Sequence, residues 1–175
     1  GKLFACDWEG VAPDIICLGK SLSGGYPISA CVGKAKVMDA WPESEGEALH
    51  TSTFLGNPVG CAMAVASLKA HLDNGIQTVV EDASAKLRGK LGGLSSPLIC
   101  EIRGRGLMLG MELRHEDGSA AGDVAGEVLS KMMQQGVFML ADGAEGNVLA
   151  FTPPFVISDE EMQFAMEGLQ SALDR

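Results

Sequence analysis

Lys20 follows a short apolar run, Ile15 to Leu18, and precedes a Gly24-Gly25 turn. At the end of a buried strand its amine would emerge into a cleft, where desolvation lowers the pKa and frees a nucleophile for a Schiff base. Spacing alone favours a surface lysine at a strand end. Arg103 lies between two apolar alternating segments and beside Gly104. A fixed guanidinium there would clamp a carboxylate through two parallel N–H bonds; spacing alone favours an ion pair with Glu101 or Glu112. Ser52 and Thr53 come just before Asn57-Pro58, a helix start. Hydroxyls and unpaired N–H groups near a helix N-terminus suit a phosphate, and they equally suit turn and capping chemistry.

Other patterns carry less. Gly19-Lys20-Ser21 resembles the end of a phosphate-binding loop, but the glycine required five residues earlier is Asp14. No helix is expected after Ser21, since Gly24, Gly25 and Pro27 interrupt it. Gly104, Gly106 and Gly110 miss the dinucleotide fingerprint by one residue and lead into strand-like alternation, where that fingerprint needs a helix. His50, His71 and His115 lie far apart with no ligand at metal spacing, and no nucleophile elbow is present. No metal site is expected.

The elements that must position these residues are legible in outline. Ile15–Leu18 reads as a buried strand and ISACVG as a second one. The acidic stretch 39–49 reads as a surface loop, including Glu43 to Glu47. Asn57 is a good N-cap and Pro58 suits the first helical position. The alanine-rich helix behind them should run to Asn74-Gly75, closely packed on all sides. A helix over about 76–91 should bury Val79, Val80, Ala83 and Leu87. LICEIRG and LMLGMELR read as strands, 120–135 as an amphipathic helix, VFML and NVLAF as strands. Ser158 with Glu161 forms a capping box opening a helix to about Leu173. Residues 1–75 therefore suit part of an α/β sheet, and 76–175 a compact α+β unit.

The chain has 175 residues, of which 46% are hydrophobic and 21% charged, as in ordinary globular proteins. Its formal net charge is −10. Residues 1–90 carry eight basic and ten acidic side chains, residues 91–175 five and thirteen. Such a balance argues against nucleic acid or an anionic membrane as partner. The five cysteines form no C-x-x-C pair and sit mostly among apolar neighbours, which suits buried, reduced thiols in a cytoplasmic protein. No apolar run approaches the length of a membrane span, and the N-terminus lacks the shape of a signal peptide.

Four segments, in order, resemble one family. PDIICLGKSLSGGYPISACVG is similar to the lysine-bearing stretch of the class III aminotransferases, pyridoxal-phosphate (PLP) enzymes of fold type I. HTSTFLGNPVGCAMA is similar to their phosphate-contacting segment, IRGRGLMLGMEL to the arginine-bearing strand pair of their small domain, and FTPPFVISDEEM to the segment before their last helix. Four ordered matches across nearly the whole chain are more specific than any one of them.

The resemblance implies roles at matching positions. Lys20 would form the Schiff base with PLP and later shuttle a proton between substrate and cofactor. Ser52 and Thr53 would bind the phosphate of the neighbouring subunit's cofactor, which implies a homodimer with shared sites. Arg103 would hold the carboxylate of the amino acid or oxo acid; Arg105 receives no role. The implied reaction is a two-half exchange of an amino group between an amine or ω-amino acid donor and an oxo acid such as 2-oxoglutarate or pyruvate.

Family members are well over twice this length. Their cofactor-binding aspartate, the glycine-rich phosphate loop and the ring-stacking aromatic belong to segments upstream of those matched here. The resemblance thus implies the end of the large PLP-binding domain over 1–75 and the whole small domain over 76–175. The alternative is a catalytically inactive fragment that folds and self-associates as a binding or interaction module. Residues 1–75 are expected to expose apolar faces that seek partners.

Overall fold

The computed structural model describes residues 1–46, 50–73 and 75–174. Asn74, read as part of a helix stop, and Glu47, read as part of the acidic loop, lie outside the described residues, as do 48, 49 and 175. Two compact units divide the chain, Lys2–Gln77 and Thr78–Arg175, with Gly1 grouped with the second. Among the described residues, no helix is long and apolar enough to cross a membrane.

In the first unit, Ile15–Leu18 (β1) pairs antiparallel with Ala30–Gly33 (β2), from Ile15 opposite Gly33 to Leu18 opposite Ala30. Short 3₁₀ turns occupy Ala5–Glu9 and Lys20–Ser23, and a single helical turn, Ala35–Met38 (α1), follows β2. The turn at Lys20 corrects the expectation that nothing helical follows Ser21: four residues complete it before Gly24, at φ 70°, ends it. Helix Pro58–Asp73 (α2) begins where Asn57 and Pro58 place it. The Asn57 side chain accepts hydrogen bonds from the N–H groups of Val59 at 3.0 Å and Gly60 at 3.1 Å. These are two of the donors a helix start leaves unpaired. Gly60 lets α2 approach Tyr26 and Ile28, since an added Cβ would lie 3.1 Å from the Tyr26 ring.

Burial in this unit departs from the sequence reading. β1 alternates between exposed and half-buried, because among the described residues only β2 pairs with it. On α2 only Gly60 and Ala64 are buried, so the alanine-rich surface is largely open and not packed on all sides. Cys17, Cys31, Cys61 and Cys100 are exposed and Cys6 is half-buried, correcting the expected burial of the thiols; all five are free.

The second unit has a core of its own. Helix Ile76–Gly92 (α3) leads to strands Ile99–Arg105 (β3) and Met108–Leu113 (β4). Helix Gly122–Gln134 (α4), strands Leu140–Asp142 (β5) and Val148–Phe151 (β6), and helix Asp159–Leu173 (α5) complete it. The sheet is antiparallel in the order β3-β4-β6-β5. Leu109, Met111 and Leu113 alternate into a cluster with Leu149 and Phe151 of β6 and apolar residues of all three helices. Removing these side chains from water is the main stabilising term.

Local signals succeed where one or two residues decide. Ser158 Oγ accepts from Glu161 N–H at 3.1 Å, and Ser158 N–H donates to the Glu161 carboxylate at 2.8 Å, completing the capping box. Two readings shift. Leu87 is buried as expected and Val80 and Ala83 are half-buried, but Val79 is 41% exposed, and α3 also buries Ser84 and Leu91. VFML supplies only its last residue to a strand, since β5 pairs from Leu140 opposite Ala150 onward.

Candidate active site

Lys20 opens the 3₁₀ turn behind β1 at φ 46°, and no other non-glycine among the described residues has a positive φ. The left-handed region crowds Cβ against the following carbonyl and costs about 1–2 kcal/mol for an L-residue. Such backbone outliers cluster at functional sites, where the surrounding structure holds them. The turn is held locally: Leu22 N–H donates to the Gly19 carbonyl at 3.0 Å, and Ser67 of α2 reaches the Ser21 carbonyl at 3.4 Å. The lysine side chain is exposed. The desolvation expected around it is therefore not supplied by the described residues. Among them no hydrogen bond or ion pair engages its amine.

Ser52 and Thr53 are exposed in the segment before α2. Ser52 accepts a hydrogen bond from Leu55 N–H through its backbone carbonyl at 3.1 Å. Neither hydroxyl has a partner among the described residues. Both lie in the same unit as Lys20.

Arg103 belongs to the other unit, on the sheet face opposite the core. Its Nη1 donates to Glu101 at 2.8 Å and to Glu112 at 2.5 Å. The ion-pair reading of its spacing is what the structure contains. Arg114 reaches the other Glu112 oxygen, with Nε at 2.8 Å and Nη2 at 2.6 Å. Hydrogen bonds from Arg103 and then Arg114 hold the Glu112 carboxyl below its ordinary range, and the same bonds hold both guanidiniums protonated. Arg114 was not singled out from sequence. The signal was available as two E-x-R triplets, Glu101-x-Arg103 and Glu112-x-Arg114, which alternation places on one face of adjacent strands.

Lys20, Ser52 and Thr53, all in the first unit, suit PLP in their chemistry: an amine and two hydroxyls without partners among the described residues can meet an aldehyde and phosphate oxygens. The Arg103 guanidinium of the second unit can meet a carboxylate, which PLP lacks. A cavity of about 540 Å³ in the second unit takes no part in this; Phe138, Phe151, Pro153 and Met166 line it, and it has no titratable side chain. Among the described residues no cluster of His, Cys, Asp or Glu could hold a metal ion.

Comparison with known proteins bears on what this mixed α/β fold belongs to. The model of the family described as aminotransferase class-III matches residues 1–173. An ornithine aminotransferase of Brevibacillus brevis is 36% identical over 99% of this chain and 40% of its own length. That of Bacillus subtilis is 33% identical with the same coverage. Among solved structures, the Toxoplasma gondii ornithine aminotransferase, which has partial occupancy of PLP at its active site, superposes with a TM-score of 0.78 at 37% identity. It is matched over 98% of this chain and 39% of its own. An acetylornithine aminotransferase from Elizabethkingia anophelis gives 0.80 at 31% identity, over 98% of this chain and 43% of its own. The chain thus spans about 40% of the length of the curated relatives it matches. With the family model covering all but the last two residues, the chain belongs to the class III aminotransferases.

Proposed function

We propose that this chain contributes Lys20, Ser52, Thr53 and Arg103 to the site of a PLP-dependent transaminase. Residues 1–75 would supply part of the cofactor-binding domain and 76–175 the small domain. The observation that carries the reading is Lys20 itself. It stands in the segment that resembles the family's lysine-bearing stretch, holds a left-handed backbone, and has no partner for its amine among the described residues. Bound PLP would supply an aldehyde for amine capture and a ring that accepts electrons. Lys20 Nζ would be its point of attachment. Once displaced by the donor's amine, Nζ would take and return the proton of the carbon bearing that amine. The Ser52 and Thr53 hydroxyls would donate to phosphate oxygens in a partner subunit's site, making the assembly a homodimer. Arg103 would orient the substrate carboxylate, which would have to compete with Glu101 and Glu112 for the guanidinium.

The donor would be an amine or ω-amino acid, with ornithine the first to try because several relatives are ornithine aminotransferases. The acceptor would be 2-oxoglutarate or pyruvate. Five free thiols suit a cytoplasmic location. Glutamate or alanine formed from these partners in the presence of PLP is the direct assay. Lys20→Ala should lower the rate by about 10²–10⁴-fold, the usual contribution of a positioned acid–base group. A second reading, an inactive module that self-associates, is favoured by the open apolar surface of β1 and α2. Equal rates for the wild type and Lys20→Ala, or no transfer by either, would favour that module.

A further inference from the structure

Cys17 and Cys31 face one another across β1 and β2. Lys34 N–H donates to the Asp14 carbonyl at 2.9 Å, so Asp14 and Lys34 form a hydrogen-bonded pair. Alternation along an antiparallel ladder then makes Cys17 and Cys31 a non-hydrogen-bonded pair, the kind with Cα atoms about 4.5 Å apart. That spacing is within the range a disulfide spans. Both cysteines are exposed. A hydrogen bond to Cys17 pushes the Cys31 thiol up, with burial and the Cys17 charge adding to it, so the two sulfurs already interact. No strand register sets another cysteine opposite either of them.

We infer that Cys17 and Cys31 are an oxidisable dithiol that closes to a cross-strand disulfide around the turn bearing Lys20. With glutathione disulfide as oxidant, one cysteine thiolate attacks a glutathione sulfur, the S–S bond breaks and one glutathione leaves. The second cysteine, as thiolate, attacks the protein-side sulfur of the mixed disulfide and expels the other glutathione. Two protein thiols are oxidised, one glutathione disulfide is reduced, and the two protons end on the released glutathiones. The closed loop would contain Lys20, Gly24 and Gly25.

The test equilibrates the full chain with graded ratios of glutathione disulfide to glutathione, alkylates the remaining thiols, and maps each cysteine by fragment-ion mass spectrometry. The expected result is joint loss of alkylation at Cys17 and Cys31 at ratios that leave Cys6, Cys61 and Cys100 alkylated. A linked species should contain both cysteines of one chain and be reversed by dithiothreitol. Cys31→Ser should leave Cys17 as a glutathione adduct with no internal link. Separate glutathione adducts on the two cysteines, links between chains, or alkylation of both alongside the other three would overturn the inference.

Discussion

Glu112 is the residue on which the sheet-face charges converge, and its environment makes a pH prediction. Its side chain is only 13% exposed and meets Arg103 and Arg114 at once. Its folded pKa lies below the ordinary glutamate value of about 4.3. A depressed carboxylate stabilises the fold above the unfolded pKa, and that contribution is lost as pH falls through the folded value. Glu112→Gln should therefore lower the urea midpoint at pH 7, and the gap to wild type should close on acidification towards pH 3. A gap that stayed constant with pH would contradict the ion-pair account. At this scale the sequence was informative where neighbours decide: Asn57, Ser158 with Glu161, and the pairing of Arg103. It was silent on the left-handed φ of Lys20, because a non-glycine in that region is held by what surrounds it and not by its own preference.

At the scale of elements, the hydrophobic period predicted which strands and helices of the second unit form. Ends and faces were less legible. Val79 has the spacing of a core residue but lies beside the buried face, which Ser84, Leu87 and Leu91 form and on which Ser84 Oγ donates to the Gly106 carbonyl at 2.7 Å. β5 starts at Leu140 because pairing with β6 across the 143–147 loop sets its register, which the apolar run alone does not mark. The alanine content of α2 indicates a helix able to pack closely without stating that anything packs there. β6 lies between β4 and β5, and its Leu149 is fully buried in the cluster. Leu149→Ala should cost about 2–5 kcal/mol by lost burial and the cavity left behind. Phe138→Ala, at a residue 84% exposed, should change stability by less than about 0.5 kcal/mol. Urea unfolding followed by circular dichroism separates the two, and equal effects would contradict the assignment of the core.

For the molecule as a whole, the two units differ in how much they bury. The cluster around Met111 and Leu169 lies in the second unit, whereas Ala64 is the only buried hydrophobic residue found in Lys2–Gln77 among the described residues. Phe54, Leu55 and Trp41 are each more than 60% exposed there. Apolar surface of this kind drives association. Light scattering should find oligomers whose size grows with protein concentration, and a monodisperse monomer across that range would count against it. The family likeness and the apolar exposure of the first unit were legible in sequence because the four motifs are contiguous, while which faces of β1 and α2 stay open emerges only when their neighbours are seen.

The central claim is that Lys20 is the attachment point for PLP. Borohydride reduction of the chain with PLP, followed by peptide mapping and with Lys20→Ala as control, tests it most directly. Selective reductive labelling at Lys20, abolished in the variant, is the predicted result. Labelling spread evenly over Lys2, Lys34, Lys36 and the other lysines, unchanged by the substitution, would contradict it.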